Sequence, residues 1–248
     1  MKRTTNSDMI YGIRAIIEAL RSGKQLDSII MKKGLSGELA QELMDTLKNY
    51  GIRPQLVPAE RFNSFGSKNH QGVVAYLSPI DFQPIEEVVA STWEQGKSPF
   101  LIIVDSITDV RNFGAIVRTA ECAGVHAVVF PAKGSARIGS DAVKTSAGAL
   151  HHMPICKVGS LKTTIKYLQD SGIKVIAATE RSVKVYTQLN LKPPIAIVLG
   201  SEDFGVSPEV LKVADELVSI PITGKVESLN VSVAAGIIMY EVVRQQNL

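Results

Sequence analysis

The sequence predicts an α/β protein: a parallel sheet with helices on both faces, preceded by a smaller α/β unit. Three observations carry this. From Phe100 onward, short runs rich in Val and Ile alternate with segments of helical period, as buried strands and their covering helices do. Apolar residues make up 45% of the chain and aromatics only 6%, so aliphatic strands rather than aromatic clusters must fill the core. The composition shifts at residues 78–99, where Pro79, Pro84 and Pro99 fall in one stretch. That stretch reads as a linker between a front domain, 1–78, and a body, 100–248.

In the front domain, Ile10, Ile13, Ile16, Ile17 and Leu20 recur at helical spacing, and Gly23 stops the helix. Ser28–Met31 reads as a strand, and Leu39, Leu43 and Leu47 line a second helix ending at Gly51. Further strands are expected at Gln55–Val57 and Val73–Leu77, and the linker holds a short helical patch at Ile85–Thr92. In the body, Phe100–Val104 is a strand, Ala115–Ala123 a helix stopped by Gly124, and His126–Phe130 a strand. Ser160 suits the N-cap of a helix to Gln169, before a strand at Lys174–Ala178. Ile195–Leu199 is a strand, Pro208–Val213 a helix, and Leu217–Ile222 a strand ahead of a terminal helix through Val243.

Net charge is +3 but uneven: residues 1–80 hold eleven Lys/Arg against seven Asp/Glu, and the remainder sixteen against seventeen. A mildly basic front suits contact with a polyanion, and equally an ordinary solvated surface. Cys122 and Cys156 stand alone, without CxxC spacing, and adjacent His151 and His152 project differently, so neither a disulfide framework nor a metal is expected. No signal peptide or membrane span is legible, and a soluble, cytoplasmic protein is the expectation.

Ligand sites in sheets of this kind gather in loops beyond the carboxyl ends of strands, and three such loops carry polar groups. The first, Asp105–Arg118, contains Asn112-Phe113-Gly114 and then Arg118 on the helical face of Gly114. Asn112 suits an N-cap, and Gly114 lets another backbone or a ligand come close. Arg118 sits on a helix that is otherwise apolar apart from Thr119 and Glu121. It has two candidate partners, Glu121 three residues on or a bound phosphate. The second loop, Gly200-Ser201-Glu202-Asp203-Phe204-Gly205, crowds two carboxylates at the end of a buried strand. The third runs from Ile220-Pro221-Ile222 through Gly224, Glu227, Ser228, Leu229 and Asn230 into the last helix. One N-cap explains one of those polar side chains, and a helix N-terminus with unpaired N–H groups favours a polar or anionic ligand. Other nucleotide signatures fail: no GxGxxG follows Phe100–Val104, and Gly96-Lys97-Ser98 lacks the first glycine of a P-loop, with Ser91 in its place.

Together the loops resemble the SpoU (TrmH-like) branch of the SPOUT RNA methyltransferases. Asn112-Phe113-Gly114 with Arg118-Thr119-Ala120 is similar to the family's first motif, Gly200-Ser201-Glu202 with Gly205 to its second, and Ile220–Ala234 to its third. Ser146-Ala147-Gly148-Ala149 matches a segment usual between the first two. Val110 replaces a common proline of the first motif, and Asp203 a frequent glycine of the second. The front domain resembles the L30e-like RNA substrate-binding domain of guanosine 2′-O-methyltransferases of the RlmB kind, with Asn69–Ala75 like its closing segment.

The resemblance implies S-adenosylmethionine-dependent methylation of a ribose 2′-hydroxyl, of guanosine, in RNA, with 23S rRNA as substrate. It implies a C-terminal trefoil knot, an exception to unknotted topology. It places the cofactor against Thr179, Glu180, Leu199, Gly200, Ser201, Ile220, Ile222, Ser228 and Leu229, with Gly200 admitting the adenine edge to the main chain. It gives Arg118 to catalysis, as general base or as a phosphate-binding cation that lowers the hydroxyl's pKa, with Asn112, Glu202, Ser228 and Asn230 orienting it and the ribose. Arg14, Arg21, Lys32 and Lys33 then serve RNA binding with Arg118. A homodimer follows from the last helix, where Val233, Ala234, Ile237, Ile238, Tyr240, Val242 and Val243 leave no polar face before Arg244. Two other readings stay open: a catalytically silent RNA-binding protein, and a tRNA methyltransferase.

Overall fold

A computed structural model describes residues 9–66, 68–136 and 138–246. The chain forms two compact units, the first made of the residues up to Asp81 together with the short segment 137–139, the second of Phe82–Ala136 and the residues from Ser140 onward.

The first unit is built on strands β1 (Met9–Tyr11), β2 (Leu26–Lys32), β3 (Gln55–Val57) and β4 (Val73–Leu77), in the order β1-β4-β2-β3. β4 runs antiparallel to both β1 and β2, and β3 is parallel to β2. Helices α1 (Ile13–Arg21) and α2 (Glu38–Asn49) turn Ile13, Ile16, Ile17, Leu20, Leu43 and Leu47 onto Ile29, Met31, Val73 and Ala75. The i, i+3, i+4 spacing of those aliphatics is what selects helix here. Ile10 keeps that spacing but lies on β1, because Gly12 at φ 89° breaks the chain before the helix.

The second unit carries a six-stranded parallel sheet: β5 (Phe100–Val104), β6 (Ala127–Pro131), β7 (Ile155–Val158), β8 (Lys174–Ala178), β9 (Ile195–Leu199) and β10 (Glu216–Val218), ordered β10-β8-β9-β5-β6-β7. Alternate side chains face opposite layers. On one face Leu101, Ile103, Val129, Val175 and Val198 meet α3 (Ile85–Glu94), α6 (Leu161–Asp170) and α7 (Pro208–Leu211). On the other, Phe130 meets Phe113 of α4 (Val110–Cys122) with ring centroids 5.6 Å apart. Against α4 pack α5 (Ser140–Thr145) and α8 (Val231–Gln246). The parallel sheet with helices on both faces is therefore the observed architecture.

Several boundaries differ from those expected. α3 lies in the stretch read as a linker, yet Ile85, Val88 and Val89 are buried in the second unit's core. α4 begins at Val110 and its N-cap is Asp109, whose carboxylate accepts from the N–H groups of Arg111 and Asn112, so Asn112 is not the cap. β10 stops at Val218, which leaves Ile220 and Ile222 in the following loop. β7 and α5 had no sequence signal strong enough to be expected. Ser160 does cap α6, accepting from Thr163 N–H at 3.3 Å. No helix among the described residues is long and apolar enough to cross a membrane.

Candidate active site at the carboxyl ends of the strands

The parallel register brings the candidate loops to one edge. β5 and β9 pair from Phe100↔Ile195 to Val104↔Leu199, so the chain leaves both strands at the same level. β8 and β10 align likewise, with Ala178 opposite Val218. Main-chain bonds continue one step past each pair, from Asp105 N to Leu199 O and from Thr179 N to Val218 O, both at 2.8 Å.

At this edge three residues distant in sequence form one hydrogen-bonded group. Asn112 Nδ2 donates to Glu202 Oε1 at 3.1 Å, and Asn230 Nδ2 donates to Asn112 Oδ1 at 3.0 Å. Asn230 Nδ2 also bonds Glu202 Oε1, which accepts from Val231 N–H at 3.4 Å. The helix α8 therefore directs its first N–H groups toward a carboxylate, as its dipole favours. Asn230 is the N-cap as well, since its Oδ1 accepts from Ser232 N–H at 2.9 Å and its carbonyl from Val233 and Ala234. The one side chain thus both caps α8 and joins Asn112 and Glu202. An open cleft beside the group is lined by Ile107, Thr108, Asn112, Glu202, Asp203 and Val231 among others.

Asp105 went unassigned in the sequence, although a carboxylate directly after a wholly apolar strand was the available signal. It is buried, its Oδ2 accepts from Ser207 N–H at 2.8 Å and its Oδ1 from Ser106 Oγ at 3.0 Å. It thereby ties the β5 loop to the β9 loop. Ser207 stands at the N-cap of α7 but its hydroxyl makes no capping bond.

The β9 loop is a closed turn. Ser201 N donates to Gly205 O at 3.2 Å, Gly205 N to Ser201 O at 2.9 Å, and Phe204 N to Ser201 Oγ at 3.2 Å. A Cβ on Gly200 would lie 2.0 Å from Gly205 C and 2.1 Å from Val206 N. The glycine is thus required by the turn folding back on it, before any ligand is considered. Gly114 has the same kind of reason: a Cβ there would lie 2.7 Å from Thr145 Cβ, so the close neighbour is α5.

Arg118 stands apart from the hydrogen-bonded group. It is exposed, and among the described residues it makes no ion pair, so the pairing with Glu121 is not formed. It lies six positions beyond Asn112 on α4, about 9 Å along the axis. Of the residues expected to hold a cofactor, Leu199 and Thr179 are buried, Gly200, Ser201 and Ile220 half-buried, and Glu180, Ile222, Ser228 and Leu229 exposed. Glu180 pairs with Arg181 at 3.6 Å. From Ile220 to Leu229 no main-chain group has a hydrogen-bond partner among the described residues. Ser228 joins none of the bonds made by Asn112, Glu202 and Asn230.

The last helix is not wholly apolar. Glu241 is buried and accepts from Arg244 Nε at 2.8 Å and Gln245 Nε2 at 2.8 Å; the Arg244 guanidinium holds its carboxyl below the usual range. Gln245 in turn binds Leu189 O and Leu191 N, fastening α8 to the segment before β9. Val233 and Tyr240 remain half exposed. In the first unit Arg14, Lys32 and Lys33 are exposed, whereas Arg21 is engaged with Glu18 and with Glu42 at 2.8 Å.

Residues 99–240 match the SpoU rRNA Methylase family, and residues 9–83 match the family described as RNA 2′-O ribose methyltransferase substrate binding. A putative TrmH family tRNA/rRNA methyltransferase of Bacillus subtilis, YacO, is 33% identical over 97% of this chain and 96% of its own. The SpoU methyltransferase AviRb of Streptomyces viridochromogenes, solved in complex with AdoMet, superposes with a TM-score of 0.62 over 96% of this chain and 90% of its own, at 23% identity. A TrmH/SpoU tRNA modifying enzyme of A. aeolicus is 32% identical, with a TM-score of 0.56 over 61% of this chain and 77% of its own.

Proposed function

The chain belongs to the SpoU rRNA methylase family of RNA methyltransferases, and from that membership we propose that it methylates a ribose 2′-hydroxyl of RNA with S-adenosylmethionine, at a guanosine of 23S rRNA. The observation that carries the reading is the Asn112–Glu202–Asn230 group, drawn from three separate loops to one helix N-terminus.

The residues fit the cofactor. The unpaired main-chain groups of Ile220–Leu229 leave one of three neighbouring strands, β10, β8 and β9, whose ends also carry Thr179, Glu180 and Leu199–Ser201. N–H and C=O groups of that kind can read an adenine edge and an amino-acid end without charged side chains. S-adenosylmethionine, when bound, supplies the electrophilic methyl group. Asn112 and Asn230 orient the ribose, and Glu202 holds both amides in place. Arg118 has no partner among the described residues and a guanidinium is not deprotonated in proteins, so it serves as a fixed cation and not as a base. It binds the phosphate beside the target ribose and stabilises negative charge as it develops on the 2′-oxygen. The trefoil knot belongs to the same proposal.

The protein acts as a homodimer in the cytoplasm. Val233 and Tyr240 lie half exposed on α8, with Ile222, Val226 and Leu229 exposed in the loop before it, an apolar surface that a second copy would cover. Val233→Glu should then convert a dimer into a monomer by light scattering, and a wild-type monomer at micromolar concentration would exclude the assembly. In the first unit Arg14, Lys32 and Lys33 supply phosphate contacts, each adding about 0.7–0.9 to the salt slope of binding.

The A. aeolicus likeness favours tRNA as a second reading of substrate. One experiment separates the two: labelled S-adenosylmethionine, the full-length protein, and total RNA from cells lacking it, followed by mapping of 2′-O-methyl sites. Label in 23S rRNA supports the proposal, label in tRNA alone replaces its substrate, and no ribose methylation in either RNA overturns it.

A further inference from the structure

Phe204 is 85% exposed. A single exposed hydrophobic is ordinary, so it is the mounting of this ring that carries information. This ring is mounted on the turn closed by Ser201–Gly205 main-chain bonds and by Phe204 N–H to Ser201 Oγ, with the 205–206 peptide seated on Gly200. It is held at a defined place outside the fold. Two residues before it, Glu202 is bonded to Asn112 and Asn230, and Asp203 between them lines the cleft. Asp203 makes no hydrogen bond or ion pair among the described residues, and it is a departure from the family's usual glycine.

The charge of this turn decides what part of an RNA can approach it. Adjacent carboxylates repel phosphate oxygens, which leaves the base, a neutral group with a flat face and N–H donors. One glycosidic bond separates that base from the ribose that Asn112 and Asn230 orient. We propose that the Asp203–Phe204 turn reads the target base: Phe204 stacks on its face and the Asp203 carboxylate accepts from its Watson–Crick edge. Guanine fits because N1–H and the 2-amino group lie side by side, matching the two oxygens of a carboxylate. Adenine and cytosine each offer a single donor group beside an acceptor, and uracil one donor between two acceptors, so none of them presents two adjacent donors. The assignment rests on the proposed reaction and names its specificity residues.

The test uses the full-length protein and ribosomal RNA from cells lacking it. Phe204→Ala should raise the KM for RNA about tenfold or more, the scale of one lost base–aromatic stack, with S-adenosylmethionine affinity unchanged. Phe204→Trp should restore KM and Phe204→Leu should not. Asp203→Asn should lower kcat/KM about tenfold or more, again without loss of cofactor affinity. With Trp93, the chain's single tryptophan, replaced by Phe, the fluorescence of F204W should be quenched by RNA and not by cofactor alone. Unchanged KM in F204A, equal rescue by Leu, or an F204A protein that has become monomeric would overturn the assignment. A second copy of the chain would in the last case be what covers the ring. If the wild-type protein transfers no methyl group, the proposed reaction fails, and quenching of F204W by RNA still decides whether a base sits on the turn.

Discussion

Replacing Gly200 by alanine tests the closed turn directly. A Cβ placed 2.0 Å from Gly205 C must recover the ordinary contact distance of 3.4 Å, so the 205–206 peptide retreats by about 1.4 Å. That movement breaks the two Ser201–Gly205 bonds and the bond from Ser207 N–H to the Asp105 carboxylate. At about 1 kcal/mol for each neutral bond and 1.5–3 for the charged one, the loss is about 3.5–5 kcal/mol. Against a typical total of about 5–15 kcal/mol, that is severe. Urea unfolding without cofactor should show it, and calorimetry should show weakened S-adenosylmethionine binding. Gly159 is the control: no atom lies within 4 Å of its would-be Cβ and its φ is not positive, so Gly159→Ala should leave stability within about 0.5 kcal/mol. A G200A protein as stable as G159A, and binding cofactor normally, would refute the reasoning. A glycine kept solely for the cofactor's approach would instead lose affinity and keep stability.

Arg118→Ala should abolish methyl transfer while calorimetric binding of S-adenosylmethionine persists; equal loss of both would remove Arg118 from its assigned role. A chain beginning at Phe82 should fold and bind cofactor, whereas one beginning at Ser98 loses Ile85, Val88 and Val89 from the core, about 1.5–3 kcal/mol each, and should be unfolded or molten by circular dichroism. His126 is held below its ordinary pKa by burial and then by the Lys97 charge, with its Nδ1 accepting from Phe100 N–H. The unfolded chain therefore binds that proton more readily, so the contribution is whole above about pH 6.5 and falls as pH drops through that value toward the folded one. The urea midpoint should decline from pH 7 to pH 5.5, and His126→Gln should flatten the decline.

The fold was most legible where burial on both faces makes a strand almost wholly apolar. Phe100–Val104, Lys174–Ala178 and Ile195–Leu199 match residue for residue. β7 was missed because it is an edge strand of four residues containing Lys157, too short and mixed to stand out. Ile220 and Ile222 look like strand by composition, but β8 ends at Ala178 and offers β10 no partner beyond Val218. Asp109 and Asn112 are both capping residues, and only the structure shows Asp109 bonding the helix while Asn112 turns to Glu202. Asn112, Glu202 and Asn230 stood out singly in their loops. Their convergence across separations of 90 and 28 residues comes from the strand register, which no local spacing contains.

If the stretch Ile220–Leu229, unbonded among the described residues, holds the cofactor as proposed, it would couple the two substrates. Ordering backbone opposes binding by about 1–2 kcal/mol per residue fixed, and that entropy is lost once, to whichever ligand first bonds the loop. Because the stretch ends at Asn230, a bound cofactor would also steady the amide proposed to meet the ribose. The RNA then encounters a site already quiet, and its affinity rises without any shift in the positions of the strands. By reciprocity the RNA would then tighten the cofactor by the same factor, so the proposed site carries cooperativity between the two as its consequence.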